Sequence, residues 1–380
     1  MNHAPRTLLL LAALLAAVPA LHAQGRKTTR AITPADLRTR LERIAHDSML
    51  GREPGGIGNF RTTEYIAAEF KRLGLEPAGE HGTWFQTVPF VRVQPDSAMR
   101  VSAGGTDLVA GTDYLLAGQP MALRRLEHVP SVFGGPLNDS TRWLPADSVA
   151  GRVVVLTLVP GRSGTRQANA LGPYLGNPRF ARATLIAVVA LDVLGPERIA
   201  MAMAGRLTTD TTLRSGGMPI LYVTPAAAEV MLGRLLGATA VGTAGKPIDA
   251  TIGHARSATA WPARNVIAVL RGNDRKFRRA YVALTAHNDH VGFDHAPADH
   301  DSIRAFDRVV RPMGADSPNR PATAQEMLQV RTILDTLRKI RPARPDSIRN
   351  GADDDGSGTV SILEIAERMV AERKQLRRSI

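Results

Sequence analysis

The sequence predicts an α/β protein in which a second, smaller α/β unit interrupts the main domain. Short β-branched runs bounded by glycine and proline, such as GRVVVLTLV, ATLIAVVALD and MPILYVT, alternate with helical patterns. Composition shifts near residues 126 and 255 set off the segment that holds those runs. Strand-forming sequence then restarts at NVIAVLRGND, Asn265 to Asp274, and leads into two motifs dense in histidine and aspartate.

Length and composition agree with that reading. A chain of 380 residues, 44% hydrophobic, can bury a sizeable core as one large domain with an insertion or as two domains. Its net charge of +13 comes mainly from arginine, since only six of the 48 basic residues are lysine. The arginines are scattered, aromatic residues make up 4%, and no recognition motif accompanies them. This argues against a nucleic-acid partner and for a solvated basic surface. Cysteine is absent, which excludes disulfides, thiolate metal ligands and thiol nucleophiles.

The N-terminus reads as an export signal spanning residues 1–23. Arg6 precedes an apolar run from Leu8 to Val18, and small residues follow at Ala20 and Ala23. The run is shorter than the roughly 20 residues a membrane span needs. The mature protein is therefore expected outside the cytoplasm, periplasmic or secreted, with no stable membrane span, beginning at Gln24 or Leu21.

From Thr33 the pattern is helical. Thr33 caps, Pro34 suits the first turn, Asp36 stands at the capping-box position, and Leu37, Leu41 and Ile44 form a stripe. A second helix runs from about Asn59 to Leu73, with Ile66, Phe70 and Leu73 inward and Gly74 as its stop. Between them DSMLGREPGGIGN is a glycine-rich loop, either a plain connection or a substrate-side element. In the middle unit PAAAEVMLGRLL is helical, and the unit has no histidine or acid cluster, so it serves as scaffold or substrate gate.

Chemistry is expected after the restart. Tyr281 to Thr285 reads as a buried strand, which puts His287 just beyond its carboxyl end, where open α/β sheets bind ligands. His287 is a candidate metal ligand, and Asp289 can accept its second ring N–H. The run NGADDDGSG, Asn350 to Gly358, opens a helix marked by Val360, Leu363, Ala366 and Val370. One acid is enough to complement a helix N-terminus, so three in a row between glycines point to a shared divalent cation. A histidine with carboxylates and no cysteine suits zinc in a hydrolytic site. Between the motifs lie 66 positions that include His295, His300 and a helix near AQEMLQVRTILDTLRKI. Those two histidines read as part of a polar loop near the cleft, with a separate metal site as the alternative.

AHNDHVG and NGADDDGSG together resemble the leading metal motifs of the zinc-dependent aminopeptidases with paired metals, relatives of bacterial leucyl aminopeptidase, aminopeptidase Y and glutamate carboxypeptidase. DSMLGREPGG followed by EYIAAEFKRLGLEPAG is similar to that family's N-terminal segment, and the middle unit resembles its protease-associated insert. The resemblance implies a doubly wound mixed sheet of the phosphorylase/hydrolase-like kind. It implies catalytic segments at 31–125 and 256–380 around an insert at 126–255. It also implies two zinc ions and a peptide substrate: His287 binds one zinc, Asp353 bridges both across a cis Asp353–Asp354 bond, and Asp289 orients His287. A base glutamate and its neighbouring ligand glutamate would follow the next strand, and the chain stops at RKQLRRSI. Glu364 and Glu367 lie inside a helix and do not replace them. The expectation is thus an exopeptidase, most simply an aminopeptidase, with two of five protein ligands present and this piece inactive alone. The alternative is a non-catalytic binding protein that keeps the fold. Oligomeric state is left open.

Overall fold

A threonine followed by proline starts the first helix where the sequence predicts it. The computed structural model describes residues 28–158, 176–209 and 218–380, so the expected export signal lies outside the described residues. Helix α1 (Pro34–Ile44) begins at Thr33, whose Oγ1 accepts the Asp36 N–H at 3.1 Å. Its buried residues are Asp36, Arg40 and Ile44, while Leu37 and Leu41 are only half-buried. The expected apolar stripe is displaced because Arg40 is drawn inward by acids. Its guanidinium donates to Glu364, to Glu69 and, at 2.6 Å, to Glu367. The Asp36 carboxylate takes the Thr29 hydroxyl at 2.7 Å instead of closing a capping box. Helix α2 (Ile57–Arg72) closes through Gly74, at φ +73°, with the Leu75 N–H on the Phe70 carbonyl at 3.1 Å.

Short strands follow: β1 (Glu76–Pro77), β2 (Phe85–Val88), β3 (Val91–Pro95), β4 (Arg100–Ala103), β5 (Thr106–Leu108) and β6 (Tyr114–Ala117). Then come β7 (Arg124–Val129), β8 (Ser131–Pro136), helix α3 (Ala146–Val149), β9 (Val153–Thr157), β10 (Leu185–Val189), helix α4 (Pro196–Ala204) and β11 (Arg206–Thr208). The unit ends with β12 (Ile220–Val223), helix α5 (Pro225–Leu232), β13 (Ile248–Ile252) and β14 (His254–Ala258).

These strands form a mixed five-stranded sheet in the order β6-β12-β10-β9-β8, parallel except at β6. A four-stranded sheet, β5-β4-β13-β7, and a three-stranded one, β11-β3-β14, complete the unit. Alternate residues of the apolar runs go to opposite faces. Val153, Val155, Leu185 and Ala187 join Val101, Ile248 and Met231 in one core. Val154, Leu156, Ile186 and Val188 join Trp143, Leu144 and Phe180 in another. Both faces are buried, which is why the runs are continuously apolar. Because β3, β4 and β6 pair with β11, β13, β14 and β12, strand pairing carries this unit back to Val91 and forward to Ala258. The composition shift at residue 126 therefore falls inside the unit.

Two strand pairs form its neck. β15 (Ala263–Val266) runs antiparallel to β2, and β16 (Ala268–Val269) to β1. The Arg264 guanidinium stacks between the rings of Phe60 and Phe85, 4.1 and 3.8 Å from their centroids, and donates to Thr63, tying the neck to α2. Beyond it lie β17 (Phe293–Asp299), α6 (His300–Val310), α7 (Ala324–Arg338), β18 (Pro345–Ile348) and α8 (Gly358–Ala371). α6 and α7 form a hairpin on the antiparallel β17–β18 pair, and α8 packs Leu363 against Ile66 and Phe70 of α2.

One expectation fails here. Tyr281 to Thr285 is not a buried strand: all five residues are exposed, and the described ladder contact is a single bridge from Tyr281 to Ser379. A strand exists through its neighbours' hydrogen bonds. The Val282 N–H also donates to the Ser379 carbonyl at 2.9 Å, but among the described residues no strand lies beside Ala283 to Ala286. The run borders an apolar cavity of about 540 Å³ lined by Phe70, Val266, Ile362 and Leu363, among others. The basic surface also needs correction in part, since Arg40 and Arg52 are buried at 1% and 0% exposure.

Candidate metal centre

His287 and the acidic run meet where the loop after Thr285 crosses the start of α8. The Thr359 hydroxyl donates to the His287 carbonyl at 2.8 Å, and the His287 N–H donates to the Asp355 carboxylate at 3.2 Å. The other Asp355 oxygen accepts the Gly358 N–H at 3.0 Å. Asp355 is thus the acid that serves the helix N-terminus. Its fit is close, because a Cβ on Gly358 would stand 2.1 Å from that oxygen.

Asp354 is the acid that faces histidine. His287 Nε2 lies 3.1 Å from Asp354 Oδ1, and His290 Nδ1 lies 3.5 Å from Asp354 Oδ2. Asp353, the residue expected to bridge two metals, is exposed, and its carboxylate meets neither histidine within 4 Å among the described ion pairs. The cis peptide likewise falls between Asp354 and Asp355, one position beyond the expected place. The backbone explains the shift: Gly351 is left-handed at φ +56°, and the turn it starts brings the second acid, not the first, under the His287 ring.

Asp289 stands on the other edge of the imidazole. Its carboxylate is 3.5 Å from His287 Nδ1, and its own carbonyl is nearer, at 3.2 Å. Burial pushes the His290 imidazole below the usual histidine range, against the pull of the Asp354 carboxylate. His300 does not join the group and contacts Asp346 at 3.1 Å. Glu364 and Glu367 are engaged by Arg40 on the far face of α8, as their helical position implied.

Two ligands of one tetrahedral zinc, each about 2.0–2.2 Å from the ion, stand about 3.3 Å apart. The 3.1 Å between His287 Nε2 and Asp354 Oδ1 fits such a pair. Among the described residues no group of three His, Cys, Asp or Glu side chains is arranged to hold a metal ion. A cavity of about 470 Å³ opens beside the pair, lined by Pro54, Asn59, Val88, Phe90, His287, Asp289 and Asp355. No described helix is long and apolar enough to cross a membrane.

The fold brings His287, Asp289 and the acidic run together, and adds contacts from Asp354, His290 and Thr359 and a nearby Arg52 that the sequence did not single out. The histidine two positions past His287+1, in HNDH, was a visible signal. The choice among three identical acids was not.

An imidazole facing a carboxylate at the head of a helix is donor chemistry of the metal-dependent hydrolases. Residues 265–380 match the model of peptidase family M28. No curated protein matches. Among solved structures, the chain is similar to BSAP, a zinc aminopeptidase from Bacillus subtilis, at 14% identity and a TM-score of 0.37, over 93% of this chain and 61% of that one. It is similar to an aminopeptidase from Aneurinibacillus sp. strain AM-1 at 13% identity and a TM-score of 0.33, over 91% and 60%. A peptidase M28 precursor from Shewanella amazonensis SB2B shares 15% identity with a TM-score of 0.32, over 76% and 65%. The chain thus spans about three fifths to two thirds of the length of these structures.

Proposed function

We propose that this chain carries part of the metal centre of a zinc-dependent aminopeptidase that acts on the N-termini of peptides outside the cytoplasm. The observation behind the reading is the 3.1 Å approach of His287 Nε2 to the Asp354 carboxylate inside the segment that matches the M28 model. Zinc bound there would supply Lewis-acid chemistry, polarising a scissile carbonyl and acidifying water. The protein's own part is to hold the ligands. Asp289 orients the imidazole from its Nδ1 edge, Thr359 anchors the His287 carbonyl, and Asp355 anchors its amide.

Asp354, set between His287 and His290, would be the acid to share two ions, the role that the resemblance assigned to Asp353. Pro54, Val88 and Phe90 line the cavity beside the pair and offer apolar contact to a peptide's first side chain. Residues 126–255, inside the unit that strand pairing extends from Val91 to Ala258, are read as a protease-associated insert, and residues 1–23 as the export signal. Exported protein should begin at Gln24 or Leu21, and intact Met1 on extracytoplasmic material would count against this.

Zinc titration and aminoacyl-anilide hydrolysis test the reading together. The chain should bind zinc weakly and lose that binding in His287→Ala, with turnover below detection. In a chain extended toward the length of the similar structures, both affinity and turnover should rise. Zinc binding indifferent to His287→Ala would rule the reading out. Tight zinc binding without peptide cleavage in the extended chain would favour a binding protein on the same fold.

A further inference from the structure

Arg52 is fully buried, and among the described residues no carboxylate pairs with it. Its guanidinium instead donates to four backbone carbonyls. Nε reaches Asn288 at 3.0 Å, Nη1 reaches Ile44 at 3.1 Å and also Asn350, and Nη2 reaches Gly351 at 2.7 Å. Asn288 lies between His287 and Asp289, and Asn350 and Gly351 start the turn that presents Asp354. One planar fork therefore spans both metal-motif loops.

The backbone around it is built for this. Leu50, Gly51 and Arg52 are all left-handed, at φ +49°, +65° and +53°. Two such non-glycine residues flanking a glycine are costly and persist only where the surroundings hold them. They are held by pairing with the histidine loop: the Arg52 carbonyl accepts the His290 N–H at 3.1 Å, and the Gly51 carbonyl accepts the Gly292 N–H at 2.9 Å. A Cβ on Gly51 would stand 2.1 Å from the Gly292 oxygen. Carbonyl acceptors leave the guanidinium charge unneutralised by contact, facing the field of Asp289, Asp354 and Asp355.

We propose that Arg52 is the positioning residue of this site: its guanidinium sets the spacing between the His287 and Asp354 loops so that both side chains can share one cation. The cation rests on the zinc reading above; the spacing does not. Lysine cannot replace the fork, because an ammonium has no planar array of donors to span both loops and the end of α1.

The test uses the full chain with two variants. Arg52→Gly removes the fork and suits a left-handed backbone, and Arg52→Lys keeps a charge without the fork. One readout is zinc affinity by chelator competition, and the other is the amide spectrum of residues 287–292 and 350–358 in metal-free protein. Arg52→Gly should lower affinity about 10–100-fold, as loss of a group that holds a metal ligand does. Millimolar guanidinium should restore most of it, and Arg52→Lys should fall between. Amides of both loops should shift together while those of β9 and β10 stay in place. If the unsubstituted chain binds no zinc yet both loops shift in the variants, the zinc reading fails and the positioning role stands. Unchanged affinity with unmoved loops in Arg52→Gly overturns the proposal. Should Arg52→Gly not fold, the same result in Arg52→Lys overturns it.

Discussion

His287 Nε2 stands 3.1 Å from Asp354 while its amide donates to Asp355 at 3.2 Å, so adjacent acids hold one histidine by its ring and by its backbone. The three carboxylates of the run are thereby divided: Asp353 faces solvent, Asp354 faces the imidazole, and Asp355 serves helix and loop. Asp354→Asn should reduce zinc affinity by more than the about 10–100-fold that loss of a ligand-holding group costs, because it removes a donor itself. Asp353→Asn should leave it nearly unchanged, and Asp355→Asn should fall between. Chelator competition on the three variants checks the order, and a larger loss in Asp353→Asn would return the bridging role to that residue.

This division also shows what the sequence could convey. The strands VVVLT, LIAVV and ILYV were legible because a sheet buried on both faces demands unbroken β-branched runs, and α1 was legible from Thr33 and Pro34. The register within DDD was not, since it depends on a left-handed Gly351 and on the space beside Gly358 rather than on acid chemistry. Arg40 and Arg52 were hidden for a related reason. Arginine reads as surface until its acceptors, distant in sequence, are brought around it. Tyr281 to Thr285 shows the converse, a strand-forming run paired only at its first two residues, by Ser379.

Gly351 should tolerate no side chain. Its φ of +56° disfavours L-residues, and a Cβ would stand 2.5 Å from the His290 ring and 2.6 Å from the Asp354 carbonyl. Gly351→Ala should cost about 1–3 kcal/mol, as overpacking at a fixed site does. Urea unfolding measures this, and zinc affinity should drop with it because both rigid neighbours belong to the candidate centre.

Arg40 should be among the costliest single residues to remove outside the site. It is 1% exposed and neutralises Glu364 and Glu367 of α8 and Glu69 of α2, which clasps three helices together. Arg40→Ala leaves the buried Glu364 without its partner, while Arg72 still meets Glu69 and Glu367, and breaking such a buried pair costs about 3–5 kcal/mol. Burial already holds the Glu364 carboxyl above the usual range, so that group should take up a proton in the variant. The loss should accordingly be smaller at mildly acid pH than at neutral pH, and denaturant melts at the two conditions would reveal it.

The α6–α7 hairpin should hold through mild acid and open only in strong acid. Ser302 and the Arg344 N–H donate to Asp299 and hold its carboxyl down at about 2. Arg344, Arg341 and Arg338 hold the Asp301 carboxyl lower still. An aspartate in an unfolded chain titrates near about 3.9. Because both folded values lie below that, their contribution is complete above about pH 4 and is lost as pH falls through about 2. Amide exchange across His300–Val310 and Ala324–Arg338 should therefore stay slow from neutral pH down to about pH 4 and accelerate below it. Asp301→Asn should accelerate it at every pH, since three arginines then surround an uncharged amide. Loss of protection already well above about pH 4 would instead show that the arginine cluster is not what closes the hairpin.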